Sequence, residues 1–296
     1  MQKVGIDVGR YNVKYATPLK QGCFRNEISE YRKLKVSKPK DYIVTIDNQT
    51  YFVGKAAIEG HLRRTMATAN KNNEETKILC YTALALAIGP GNVEIITNIP
   101  VEQHTDIEKQ QLIDLLKGQH EIYVKFADGT QKGGWYDIRS VKVTPEGFNA
   151  YADFIYNWYG HIIDEELATR PVVRGIDWAS RMINYYTMVF DPDTGELERL
   201  DRESGSLDYG YYQLLNSSKT PSEQEMKDFV AQVVGDIATK WLTYDADEDV
   251  ILHSGGGVKT LKQYIENHFI VNKFSERPLE AGAAGNYKLG VAASLG

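Results

Sequence analysis

Along the chain, short stretches of alternating apolar and polar residues give way to stretches of helical spacing, and this switching of period marks an α/β protein. "KVGIDVG" and "NVKYAT" read as two short strands about a turn that carries Gly9 and Asn12. "DYIVTIDNQTYFVG" reads as a second hairpin, with Asp47-Asn48 at its turn. Leu79, Ala83, Leu86 and Ala87 stand at helical spacing and predict a helix from Glu74 to Ile88, ended by Gly89-Pro90-Gly91. "NVEIITNIP" is a buried strand stopped by Pro100. "HTDIEKQQLIDLLKG" is an amphipathic helix with Thr105 as N-cap and Gly118 at its end. Strands over "HEIYVKFADG" and "YDIRSVKVTPEG" and a helix over "FNAYADFIYNWYGHII" complete the first half.

The second half reopens with the strand "PVVRGID" and a hairpin, "INYYTMVFDPDTGELERL", turning at Pro192-Asp193-Thr194-Gly195. Helices are predicted over Gly210 to Asn216 and Ser222 to Leu242, the second started by Thr220-Pro221-Ser222. "EDVILHSGGG" is a buried strand entering a glycine loop, followed by the helix "VKTLKQYIENHF" and a tail rich in small residues. The two halves open on related text. "GIDVGRYNVKYAT" (Gly5 to Thr17) aligns without a gap with "GIDWASRMINYYT" (Gly175 to Thr187), five of 13 positions being identical at a constant offset of 170. This repeat, together with Arg170-Pro171, divides the chain near residues 165–172.

Composition narrows the classes. A chain of 296 residues favours two domains, and 42% hydrophobic with 25% charged residues is an ordinary globular balance. No apolar run approaches the roughly 18 residues of a membrane span, and no secretory signal is read before Gly5. Two cysteines make no disulfide framework and point to a reducing, cytoplasmic setting. A net charge of −6 argues against direct, non-specific nucleic-acid binding, which rests on many Lys/Arg–phosphate contacts. Any DNA in this protein's biology is expected to be held by a basic partner.

Each copy of the repeat sets one aspartate, Asp7 or Asp177, at the end of an apolar strand before a tight turn. Turn amides of this kind cradle phosphate oxygens, and the carboxylate can hold a hydrated divalent cation. Lys14 follows Asp7 by seven residues and can reach a β- or γ-phosphate; its counterpart, Asn184, is uncharged. Short strand–turn–strand segments also resemble one another by chance, and a glycine triplet such as Gly255-Gly256-Gly257 is more often only a loop. Two aspartate hairpins followed by strand–GGG–helix, in that order, are far more specific than any one of them; the absent side chains let backbone approach a flat purine or its ribose phosphate.

In this order the sequence resembles the actin superfamily of actins, heat-shock chaperone ATPases and sugar kinases, over nearly the whole chain. "GIDVGRYNVKYA" resembles the first phosphate loop, "GIDWASRMINYYT" the second and "VILHSGGGVKTL" the adenosine loop. Asn12-Val13-Lys14, "ITNIPVEQH", "IRSVKVTPEG", "SGSLDYGYYQLL" and "GNYKLG" resemble the bacterial plasmid-segregating, ParM/StbA-like branch. The resemblance implies two related α/β domains about a nucleotide cleft, domain I being residues 1–167 with 276–296 returning to it and domain II residues 168–275. It implies ATP or GTP with Mg2+, whose water shell Asp7 and Asp177 order. It assigns nucleotide contacts to Asp7, Gly9, Arg10, Tyr11, Asn12 and Lys14 in the first loop. Ala179, Ser180 and Arg181 are assigned to the second, with Gly205 and Gly255-Gly256-Gly257. Glu146 in "VTPEG" matches the acidic residue that positions the attacking water, so Glu146 and Asp177 are the catalytic candidates; read without the family, "TPEG" is a turn with an exposed Glu. Implied partners are further copies of the chain in a filament and a ParR-like DNA-binding adaptor on plasmid centromeric DNA, with no direct nucleic acid and no membrane.

Two departures stand out. Ala179 occupies a position that usually holds glycine; if it requires φ > 0 the methyl costs on the order of 1 kcal/mol, and the turn is rebuilt or hydrolysis slowed. Between "SGSLDYG" and the helix starting near Ser222 there is no room for the outer subdomain called IIB, an absence that resembles AlfA. The competing functional readings are another bacterial actin-like scaffold and a small-molecule kinase of the same superfamily, for which no sugar-site motif is found.

Overall fold

Alternation around the first turn folds as a hairpin, and its register sets the sheet that follows. The computed structural model describes residues 1–31, 42–59, 64–65, 70–100, 103–191, 196–217 and 220–295. By contacts these fall into two compact units: Met1–Pro145 with Trp158–Gly160 and Asn286–Gly296, and Glu146–Asn157 with His161–Gly285.

The first unit contains β1 (Gln2–Val8), β2 (Asn12–Ala16), β3 (Gln21–Arg25), β4 (Glu27–Glu30), β5 (Tyr42–Ile46), β6 (Gln49–Val53), α1 (Lys55–Glu59) and β7 (Arg64–Thr65). These are followed by α2 (Glu74–Ala87), β8 (Gly91–Ile99), α3 (Asp106–Leu116), β9 (Gly118–Lys125) and β10 (Gln131–Pro145). Among the described residues the strands make one sheet, ordered β3-β2-β1-β8-β10-β9-β5-β6-β4-β7. Asp47 and Asn48 take positive φ at the β5–β6 turn, as a two-residue hairpin loop requires. Asn73 caps α2 by accepting from the Thr76 amide, and Thr105 caps α3 in the same way through Glu108. Every residue of α2 from Ile78 to Ala87 is buried, so this helix is core all round and not amphipathic.

The second unit holds α4 (Phe148–Ile155), α5 (Glu165–Ala168), β11 (Val172–Trp178), β12 (Ile183–Asp191), β13 (Glu196–Arg199) and β14 (Gly205–Leu207). Then come α6 (Tyr211–Ser217), α7 (Glu223–Ala238), β15 (Val250–Ser254), α8 (Val258–Ile265) and β16 (Asn272–Phe274); α9 (Ala281–Ala292) contributes to both units. Its strand order β13-β12-β11-β15-β16 repeats β3-β2-β1-β8-β10 in order and in direction, two antiparallel pairs followed by two parallel ones.

The duplication reaches the register. Gly5 faces Ala16 and Asp7 faces Lys14; 170 residues on, Gly175 faces Tyr186 and Asp177 faces Asn184. It reaches the packing too. Tyr15 lies over Gly22 on the neighbouring strand, where a Cβ would come within 2.6 Å of the phenol oxygen, and Tyr185 lies likewise over Gly205 at 2.9 Å.

Several elements differ from their sequence expectations. The helix expected over residues 148–163 stops at Ile155, because the chain reverses through Gly160 (φ +81°) and closes an antiparallel bridge between Tyr156 and Ile162. α7 carries the expected start, a capping box between Ser222 and Glu225, but ends at Ala238. The residues beyond it turn so that Trp241 and Tyr244 lie against the guanidinium of Arg174, at 5.2 and 5.8 Å from their ring centres. Arg174 is fully buried within a strand that is otherwise apolar but for Asp177, and bonds Glu203, Asp249, Thr187 and Thr243, which satisfies a charge that burial would otherwise penalise heavily. The small-residue tail is helix α9, whose glycines permit close approach: a Cβ on Gly290 would meet Ile96 at 2.4 Å. The turn expected at Pro192–Gly195 lies outside the described residues. Between β14 and α7 the described residues hold only α6. No disulfide joins Cys23 and Cys80, and no helix among the described residues is long and apolar enough to cross a membrane.

On β15, His253 is buried between Trp178, whose indole N–H donates to Nδ1 at 3.1 Å, and Asn272, which Nε2 contacts at 2.8 Å. Burial lowers its pKa to about 4, against the opposing bond to Asn272. The unfolded chain, with an ordinary histidine near 6.5, therefore binds a proton that the folded chain refuses between those values. Stability is full above pH 6.5 and falls as the pH drops toward 4, by up to about 1.4 kcal/mol per pH unit from this group. Urea unfolding of the parent and of His253→Phe at pH 7 and pH 4.5 checks this: the variant should lose less stability between the two than the parent, and an equal loss would contradict it.

Candidate functional site

In the first unit the hairpin register places Lys14 opposite Asp7, and Lys14 Nζ donates to Asp7 Oδ2 at 2.8 Å. The other carboxylate oxygen accepts from Asn98 Nδ2 at 3.3 Å, from the end of the parallel strand β8. Asn98 is itself held. Asn286 Nδ2 donates to Asn98 Oδ1 at 3.2 Å and to the Ile6 carbonyl at 3.0 Å, while Asn286 Oδ1 accepts from Thr144 Oγ1 at 2.8 Å. Lys71 Nζ donates to the Asn98 carbonyl at 3.1 Å. Burial raises the Asp7 carboxyl pKa, but Lys14, Lys71 and the donated hydrogen bonds outweigh it and hold the group below the usual carboxylate range. Asp7 is thus an ionised carboxylate under the influence of two cations.

The turn after Asp7 closes through Gly9 N–H to the Asn12 carbonyl at 3.1 Å, and Asn26 Nδ2 donates to the Gly9 carbonyl at 3.0 Å. A Cβ on Gly9 would meet that Asn12 carbonyl at 2.8 Å and Lys14 Nζ at 2.9 Å, so glycine here is a matter of close approach. Tyr11 lies beneath the guanidinium of Arg25, 3.6 Å from the ring centre, and Arg10 is half-buried at the turn.

The second unit repeats this plan with other donors. Asn184 Nδ2 lies 3.4 Å from Asp177 Oδ2, and Ser254 Oγ, at the end of parallel strand β15, 3.5 Å from Oδ1. Asn184 is oriented by Ser206 Oγ, which donates to its side-chain oxygen at 2.8 Å. Gly255 takes φ +90° with its Cα against the carboxylate; a Cβ there would lie 2.4 Å from Asp177 Oδ1. Gly257 N–H donates to the Trp178 carbonyl at 2.9 Å, whereas a Cβ on Gly256 would meet only Leu279, at 3.3 Å. The glycine triplet is therefore docked on the second aspartate strand by its outer members. Ala179 and Ser180 offer their carbonyls to the first amides of α6, at 3.1 Å from Tyr211 and 2.7 Å from Tyr212, and Arg181 is exposed. The space beside Gly205 is taken by the Tyr185 phenol.

Ala179 does not take positive φ, so the methyl is not strained in the way considered from sequence. The turn is instead rebuilt. Gly9 bonds forward across its turn to Asn12, whereas Ala179 N–H bonds back to the Asp177 carbonyl at 2.8 Å. The long Lys14, whose ammonium crowds Gly9, is matched by the shorter Asn184 in the copy that carries Ala179. Glycine with lysine and alanine with asparagine are two self-consistent solutions to the same turn.

Glu146 is half-buried in the turn between β10 and α4, followed by Gly147 (φ +93°), whose N–H donates to Asn149 Oδ1 at 3.1 Å. By contacts it falls with the second unit, as Asp177 does. The first unit gathers Asp7, Gly9, Asn12 and Lys14, and the second Asp177, Ala179, Ser180, Gly255 and Gly257. Sequence reasoning missed Asn98, Lys71, Asn286 and Ser254. An Asn near the end of a largely apolar strand, and another inside a small-residue tail, were the available signals for two of them.

Among the described residues no group of three or more His, Cys, Asp or Glu side chains could hold a metal. One hard carboxylate per unit fits a cation that keeps most of its waters and takes the rest of its ligands from phosphate oxygens, which is how Mg2+ is commonly bound.

The family model described as actin-like proteins N-terminal domain matches residues 5–148. No curated protein sequence matches the chain. Among solved structures, the apo ParM protein of psk41 aligns over 99% of this chain and 98% of its own, with a TM-score of 0.79 at 15% identity. An archaeal actin homologue in complex with ADP aligns over 98% and 99%, with 0.74 at 15%. AlfA from the B. subtilis plasmid pLS32, solved as a filament, aligns over 96% and 97%, with 0.66 at 17%. At these identities the likeness is one of fold.

The two turns should respond unequally to one methyl group. Gly9→Ala must push back the Asn12 carbonyl and Lys14, and is expected to cost about 1–3 kcal/mol in denaturant unfolding. Ala179→Gly only loosens the unfolded chain, by about 0.4–1 kcal/mol. Equal effects at the two positions would contradict the reading of two distinct turn solutions.

Proposed function

We propose that this chain, an actin-like protein by its N-terminal domain and by its fold, is a nucleotide-dependent filament former that hydrolyses ATP or GTP as a disassembly timer. The observation that carries this reading is the duplicated carboxylate. Two hairpins of the same register each carry an aspartate met from the same two directions, from across the hairpin and from the end of the parallel strand alongside. Asp7 in the first unit and Asp177 in the second would each be able to order water on a hydrated Mg2+, which would supply neutralisation of phosphate charge. Lys14 and the amides of the Gly9–Asn12 and Ala179–Arg181 turns carry phosphate oxygens, and Gly255-Gly256-Gly257 admits the purine nucleoside. Glu146 orients the attacking water. Phosphoryl transfer asks chiefly for positioning and charge neutralisation, so this sparse set suffices.

Self-association is supported by the fold shared with AlfA, itself solved as a filament. The further role is segregation of plasmid DNA in the cytoplasm through a ParR-like adaptor bound to centromeric DNA. The net charge of −6 suits contact through a basic adaptor and not through the chain itself.

Right-angle light scattering and pelleting with ATP–Mg2+, GTP–Mg2+ and ADP test the proposal. The parent should assemble in a triphosphate and disassemble as it is hydrolysed. Glu146→Ala should bind and assemble as the parent does while hydrolysis falls about 100-fold or more, leaving filaments that persist. Flat scattering in every nucleotide at high protein concentration would refute the filament, and loss of nucleotide binding in a folded Glu146→Ala chain would refute the role of Glu146.

A further inference from the structure

Tyr186 is fully buried on β12 and faces Gly175 across the hairpin. A Cβ on Gly175 would lie 2.1 Å from Tyr186 Cζ and 2.3 Å from its oxygen, so the phenol end of the ring lies directly on the Gly175 Cα. The other end of the ring meets Gly147, where a Cβ would lie 2.8 Å from Cδ1 and 3.3 Å from Cγ. One side chain thus touches two backbones. The first is the strand that carries Asp177 two residues later, and the second is the turn that carries Glu146 one residue earlier. Burial first, then the charge of Asp177 and the neighbouring Tyr151, push the phenol pKa up, which keeps it a neutral, firmly packed group.

The internal repeat makes this contact informative. At the matching place in the first hairpin stands Ala16, facing Gly5 in the same register. Both copies keep the glycine, but only in the second is the residue opposite it a ring. The second is also the copy whose unit contains the Glu146 turn. A rigid aromatic ring with two torsions holds backbone at low entropic cost, and Gly147, in the left-handed region, has no side chain of its own to hold it.

We propose that Tyr186 is a positioning residue: its ring pins the Gly147 turn to β11, so that Glu146 and Asp177 keep one fixed geometry. This rests on the reading of Glu146 as the residue that orients water. Tyr186 touches no reacting atom; it acts through the turn.

Two variants test it, Tyr186→Phe, which keeps the ring, and Tyr186→Leu, which does not reach both glycines. In single-turnover hydrolysis of bound ATP–Mg2+ the Leu variant should slow by about 10- to 100-fold, with nucleotide affinity within about threefold of the parent. The Phe variant should match the parent in both. In the ligand-free chain, hydrogen exchange over residues 146–149 should quicken by about tenfold or more in Tyr186→Leu, with β15 and α7 as protected as before. A Leu variant that keeps the parent's rate and the parent's exchange at 146–149 would overturn the proposal. So would exchange raised evenly over the whole unit, the mark of a merely structural role. If Glu146→Ala hydrolyses as fast as the parent, the assignment of Glu146 fails, while exchange in the ligand-free Leu variant still decides whether the ring holds the turn.

Discussion

A carboxylate at the end of a buried strand is costly unless donors reach both of its oxygens, and the two hairpins meet that demand with one geometry and two sets of donors. In each, one oxygen is met by the residue opposite it across the hairpin, and the other by the end of the parallel strand alongside. The first copy uses a cation and an amide. The second uses an amide and a hydroxyl, at longer distances. Asp7 is therefore strongly held as an anion, while Asp177 has the glycine triplet against its carboxylate. The rest of each unit serves to keep these donors in register.

That service is visible in residues far apart in sequence. Asn286, on the last helix, ties β1, β8 and the end of β10 together and presents Asn98 to Asp7. Arg174 ties β12, the Asp201–Glu203 turn and the 243–249 loop together around one buried charge. Tyr186 joins the Gly147 turn to β11. Each is a single side chain whose removal would leave several backbone segments without a common anchor, so damage at these positions is expected to spread to every segment the side chain holds.

The two aspartate hairpins, the strand that enters the glycine loop and the loop itself were legible in the sequence. Alternation has a period of two, tight turns need particular residues, and a 13-residue repeat at constant offset fixes which positions correspond. That arithmetic made Asp177 the counterpart of Asp7 and Asn184 that of Lys14, and the sheet sets each aspartate opposite the second member of its own copy, Asp7 facing Lys14 and Asp177 facing Asn184. What could not be read was long-range. Asn98 and Asn286 are 188 residues apart, and nothing local to either says that they meet. Helix lengths failed where tertiary packing overrode local preference: α7 ends early to lay Trp241 on Arg174, and the run after Ile155 bends through Gly160 instead of continuing as a helix. The tail was unreadable as a helix because alanine and glycine write no apolar stripe.

The proposed function requires both Asp7 and Asp177 for nucleotide binding. Calorimetric titration with a slowly hydrolysed ATP analogue, with and without Mg2+, tests it most directly on the parent, Asp7→Ala and Asp177→Ala. One nucleotide per chain is expected, its affinity dependent on Mg2+ and weakened about tenfold or more in either variant. Binding that ignores Mg2+, or that survives unweakened without the Asp177 carboxylate, would contradict it.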